Sequence, residues 1–153
     1  QRQMCIRDSA REMHKSLLME ARKDEFLDYV LKNSDTQKFM VKERDFDYTG
    51  FKYHLPTRCK WDWFLSSVGF GGDLKTTFAV SQAQFDEAVD FFDWDRSRAW
   101  YMDIAGSNKD FIYAISKKNC KVFKKFIERG DQVYRRGFDK YNELAFKYYL
   151  FVT

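Results

Sequence analysis

A chain of 153 residues is long enough for one domain whose core needs neither a structural metal nor disulfides. Charged residues make up 33% and proline occurs once, at Pro56, which excludes a proline-rich or disordered module. The net charge of +4 is too small to name a polyanionic partner by itself, while an aromatic content of 19% predicts a core of large rings.

Residues 1–153 are read as a single compact domain. The chain opens on Gln1-Arg2-Gln3-Met4, without the apolar segment of a signal peptide, and the missing initial Met fits the removal of an upstream piece. Ser9 and Glu12 have capping-box spacing, and Met13, Leu17, Leu18 and Ala21 follow as one apolar helical face. The phase breaks near Arg22–Glu25, where Asp24 can cap a second helix carrying Phe26, Leu27, Val30 and Leu31. From Phe39 to Leu55 the period changes to two. Phe51, Tyr53 and Leu55 alternate after a Thr49-Gly50 turn, which predicts a two-stranded hairpin.

Trp61, Phe64, Leu65 and Val68 fit a short helix started by Thr57 and ended by the glycines at 69, 71 and 72. The stretch Gly71-Gly72-Asp73-Leu74-Lys75-Thr76 has the Lys-Thr pair of a phosphate loop but too few residues and glycines, so it is read as a helix stop and turn. Thr76–Val80 suits a strand. Ser81 and Gln84 then form a capping box ahead of a helix with Phe85, Ala88, Val89 and Phe92 inward. The acidic run Asp90, Asp93 and Asp95 is the best metal candidate by composition, yet it lacks the ligand series and central glycine of a calcium loop, and no metal is expected there. Ala99–Ile104 is read as a strand.

From Ser107 onward the pattern predicts a C-terminal helical hairpin: a helix over Phe111–Ile127, a turn at Arg129-Gly130-Asp131, and a helix over Gln132–Phe151. Residues 107–153 hold 11 Lys or Arg against 5 Asp or Glu, and residues 73–106 hold 3 against 7. Complementary packing of the two parts is the first explanation of this asymmetry. The expected fold class is therefore α+β and predominantly helical, with about five or six helices, that hairpin, and a small antiparallel sheet.

Cys5, Cys59 and Cys120 have no paired spacing, which points to a reducing, intracellular and cytoplasmic setting and gives zinc too few ligands. No stretch approaches the length of a membrane span. His14 and His54 bring no cluster; a Cys59–His54 nucleophile pair would need the fold to add an orienting carboxylate. With no credible catalytic cluster, no catalytic residue, cofactor or metal is expected. The main reading is a small non-enzymatic protein-interaction domain of regulatory, inhibitory or accessory role, its partner another protein. One alternative is nucleic-acid binding, or binding of an acidic partner, through Lys117, Lys118, Lys121, Lys124, Lys125, Arg129, Arg135 and Arg136. A second is a small hydrolase or nuclease using clustered carboxylates.

Overall fold

A computed structural model describes residues 2–153, the side chains of residues 2–9 and 21 excepted. Its elements are α1 (Arg2–Lys23), α2 (Glu25–Asn33), β1 (Asp35–Tyr48), β2 (Phe51–Leu65), β3 (Phe70–Thr77), α3 (Gln82–Phe91), α4 (Trp94–Ala105), β4 (Lys109–Ser116), β5 (Val122–Glu128) and α5 (Gln132–Val152). The five strands form one mixed sheet in the order β1-β2-β3-β4-β5. Neighbours are antiparallel except β3 and β4, which are parallel because α3 and α4 carry the chain from one to the other. Among the described residues no helix is long and apolar enough to cross a membrane.

The sheet is covered on both faces. Leu27 and Val30 of α2 pack with Trp63, Leu65 and Tyr113 on one side. On the other, Phe85, Val89, Ala99, Met102, Tyr134, Tyr141 and Ala145 of α3, α4 and α5 meet Ile112, Ala114, Phe123 and Ile127. Strands buried on both faces are apolar at successive positions rather than at alternate ones.

The α+β class with five helices is the one the sequence predicts, and the hairpin at Thr49-Gly50 and the helix after Asp131 lie where expected. The sheet is mixed and larger than the small antiparallel one expected, and of the C-terminal helical hairpin only the second arm is helical. Residues 109–128 form β4 and β5. Phe111-Ile112-Tyr113-Ala114-Ile115 is a central-strand run whose apolar residues face both layers, so it also satisfies a helical period. Trp61–Leu65 likewise belongs to β2 and the glycines at 71 and 72 to β3, not to a helix and its stop. A Cβ at Gly72 would collide with the Phe111 carbonyl and the Trp63 indole, so these glycines make room for large rings. Ala99–Ile104 is helical: Ala99 and Met102 point inward at i,i+3 spacing, and Gly106 ends α4 at φ 69°.

Of the four helix starts expected from capping residues, two are formed, whereas Thr57 lies within β2 and its hydroxyl donates to the Lys42 carbonyl. Asp24 accepts from Phe26 N and Leu27 N at 3.1 and 3.2 Å, and Ser81 accepts from Gln84 N at 3.3 Å. The fourth, at Ser9, lies outside the described side chains. α4 and α5 approach closely at Gly137, where a Cβ would run into the Asp95 carbonyl. Gly137→Ala is expected to lower the melting temperature by roughly 3–8 °C, since overpacking costs about 1–3 kcal/mol. Helix propensity alone would raise stability by about 1 kcal/mol, so the sign of the shift in a thermal melt decides between the two.

Candidate active site

β2 and β3 pair only at Trp63↔Gly72, Phe64↔Gly71 and Leu65↔Phe70. Beyond these positions β2 stays with β1, while β3 stays with β4 as far as Thr77↔Ser116. The sheet therefore forks, and Asp62 and Asp73 are the residues at its vertex. Asp62 Oδ2 accepts the Leu74 N–H at 2.9 Å, taking the place of a ladder carbonyl. Lys75 Nζ lies 2.6 Å from Asp73 Oδ2. On the far side of β2 the ladder skips Gln37, which takes a φ of 54°. Such a conformation is unfavourable for a residue with a side chain and recurs beside functional sites.

The electrostatics of the vertex are uneven. Burial, then the hydrogen bond with Asp73, raises the Asp62 carboxyl above the ordinary range. Burial would raise Asp73 as well, but the Arg98 guanidinium, the hydrogen bond from Asp62 and Lys75 together hold it below that range. The two neighbouring carboxyls are thus shifted in opposite directions, Asp62 upward and Asp73 downward. Beneath them Arg98 is 2% exposed and Asp110 is fully buried, with Nη1 and Oδ2 3.7 Å apart. Arg98 also lies over Tyr101 at 4.1 Å and Trp61 at 5.3 Å from the ring centroids.

Two carboxylates suit a hard divalent cation such as magnesium, which binds through one or two protein carboxylates and completes its shell with water and substrate phosphate oxygens. Asp62 and Asp73 lie side by side at the vertex, and a cation between them would offset the repulsion of their charges. Among the described residues no three His, Cys, Asp or Glu side chains gather into a larger metal site.

The acidic run does not converge on an open site. Lys140 Nζ lies 2.7 Å from Asp90, 3.0 Å from Asp93 and 3.1 Å from the buried Asp95, and Arg136 also pairs with Asp95. Asp103 is held likewise by Arg129 at 2.6 Å, Arg44 at 3.3 Å and the Tyr134 hydroxyl at 2.7 Å. Much of the charge asymmetry in the sequence is thus internal pairing.

This pairing divides the basic residues. Lys124 pairs with Asp24, Lys125 with Asp86, Arg129 with Asp103, and Arg136 with Asp90 and Asp95. Lys117, Lys118, Lys121 and Arg135 form no ion pair among the described residues. Lys117, Lys118 and Lys121 gather at the turn between β4 and β5, whereas Arg135 is exposed on α5. The Lys117 N–H donates to the Thr77 carbonyl at 2.8 Å, which places this turn at the end of β3, two residues beyond Lys75.

The Cys59–His54 pair is not formed. Cys59 faces the core and His54 faces outward, and burial pushes the thiol up to about 11. His54 instead bridges Asp45 and Glu43, each at 2.8 Å, and those hydrogen bonds, Asp45 first, raise its pKa. The stabilisation it lends is full below its unfolded value and disappears as pH rises through the folded one. An NMR titration is expected to place His54 above an ordinary histidine, with Asp45→Asn bringing it back down.

The vertex is not apparent in the sequence because Trp61–Val68 reads as a short helix and Gly71–Thr76 as its stop and turn, which leaves Asp62 and Asp73 unconnected. The usable signal was an Asp-x-Lys on a strand with another aspartate on the strand before it.

No protein-family model and no curated protein matches this chain. Among the solved structures, several are distantly similar, two of them as follows. The crystal structure of SSO0001 matches with a TM-score of 0.47 and 16% identity over 74% of this chain and 53% of that one. The crystal structure of a phage related exonuclease from Haemophilus somnus 129PT matches with a TM-score of 0.47 and 9% identity over 86% of this chain and 73% of that one. The chain thus spans about half the length of SSO0001.

Proposed function

We propose that the protein is a metal-dependent phosphodiester hydrolase acting on nucleic acid, with its centre at Asp62, Asp73 and Lys75. The observation that carries this reading is the meeting of two carboxylates and a lysine where β2 and β3 part. Asp62 and Asp73 would hold a divalent cation, which when bound supplies charge neutralisation at a phosphoryl oxygen. Lys75 sets an ammonium beside that position and offsets the negative charge that builds on the phosphate as its ester bond breaks.

The lysines at the end of β3 support a polyanionic substrate. Lys117, Lys118 and Lys121 extend the positive charge of Lys75 along the strand ends, where phosphates beyond the scissile one would lie. Lys124, Lys125, Arg129 and Arg136 contribute less, because each already neutralises a carboxylate. The reading as a protein-interaction domain draws on exposed rings such as Phe91 and Phe151 and has no comparable convergence of groups.

The test is incubation of the purified chain with end-labelled single-stranded and double-stranded DNA and RNA, with magnesium or manganese and with a chelator. Metal-dependent shortening of any of these substrates is the expected result. No cleavage of any of them with either metal would remove the proposal.

A further inference from the structure

A groove of about 600 Å³ lies between β2, α4 and α5, lined by Leu55, Pro56, Arg58, Arg96, Trp100 and Tyr148 among others. It does not contain the carboxylates of the fork, but it shares β2 with Asp62 and α4 with the Arg98 that lies beneath them. Arg58 lies four residues before Asp62 on β2, roughly 13 Å along an extended strand. Trp100 follows Arg98 on α4, and its Nε1–H donates to the Arg58 carbonyl at 3.1 Å, so α4 closes on β2 where β3 has left it.

The lining is polarised in a way that selects an occupant. It holds two arginines and no carboxylate. Arg96 is partly balanced by Asp93 at 2.9 Å, and Arg58 forms no ion pair among the described residues. Beside these cations stand the partly exposed Trp100, with the buried Tyr141 edge-on to it at 5.4 Å, and Tyr148, which is 58% exposed. Cations for phosphates beside rings for base faces are the combination that holds an unpaired strand. The groove has the volume of a small-molecule site, enough for a few unpaired nucleotides.

We infer that this groove holds the unpaired strand of a nucleic acid on its way to or from Asp62 and Asp73, with Tyr148 as the stacking surface and Arg58 as the phosphate contact. The choice of occupant rests on the hydrolase reading, and it narrows that reading to substrates with a single-stranded segment.

Binding is measured without metal, by fluorescence anisotropy of labelled oligo-dT, oligo-rU and a blunt duplex, so that cleavage plays no part. Tyr148→Ala and Arg58→Ala both alter exposed side chains and are checked by thermal melting for an intact fold. Each is expected to weaken binding of the single strand about tenfold, as loss of one stacked base or one phosphate contact does, and to leave duplex binding within twofold. The ratio of dT to rU affinity then assigns the preferred sugar. Unchanged single-strand affinity in both variants, or an equal loss for duplex, overturns the inference. Absence of cleavage by the unaltered protein with retained, Tyr148-dependent strand binding removes the hydrolase reading and leaves the groove assignment standing.

Discussion

Asp73→Asn is expected to reduce metal-dependent cleavage by at least about a hundredfold, the scale on which removing one fixed charge-stabilising group acts. The substitution keeps the shape of the side chain and deletes the charge that Arg98, Asp62 and Lys75 hold in place. Because Asp73 is only 6% exposed, a folding defect could mimic this loss. Asp62→Asn provides the control: Asp62 is only half-buried, and the amide oxygen can still accept the Leu74 N–H. It should retain a wild-type melt and lose activity comparably, since a bound cation requires both carboxylates ionised. Lys75→Ala should lower turnover while leaving metal affinity, measured by manganese titration calorimetry, equal or slightly higher. Cleavage by either aspartate variant within fivefold of wild type would remove the fork from the chemistry.

The fold was legible where one face of an element meets water. α2, α3 and α5 carry their apolar residues at helical spacing and begin at Asp24, Ser81 and Asp131, whose side chains cap them. The alternation in β2 from Tyr53 to Cys59 is equally plain, because its odd positions are buried and its even ones exposed. Legibility failed at the centre of the sheet. β4 is packed by helices on both faces, so Phe111 and Tyr113 serve one layer and Ile112 and Ala114 the other, and no period survives to separate strand from helix.

The candidate site was hidden for a related reason. Asp62 and Asp73 belong to strands whose sequences read as a helix and its glycine stop, and only the register brings them opposite each other. The glycines at 71 and 72 look like turn formers in isolation. Their cause is the crowding of Trp61, Trp63, Phe64 and Phe111 around β3, a long-range fact. Conversely, the acidic run and the lysine-rich stretch stood out in the sequence because their charges are dense, and much of that density is spent in pairs across α4, α5 and β5.

Arg98→Met is expected to destabilise the fold by about 3–5 kcal/mol, the range found when one member of a buried ion pair is removed. The guanidinium sits among Asp110, Asp73, Tyr101 and Trp61, and its loss leaves the fully buried Asp110 without its cation and removes one of the two cations beside Asp73. Asp110 feels this most: burial already pushes its carboxyl well above the ordinary range, against the pull of Arg98. Its oxygens make no well-aligned hydrogen bond, so the pair is held by charge at 3.7 Å rather than by directed contacts. The double change Arg98→Met with Asp110→Leu should therefore recover most of the lost stability in urea unfolding, since an apolar pair of similar volume replaces both desolvated charges. Additive losses in the double variant would instead mean that Arg98 acts through its stacking on Tyr101 and Trp61. Recovered stability without recovered cleavage would separate the two duties of Arg98, because the folded double variant still lacks the cation that holds Asp73 ionised at the fork.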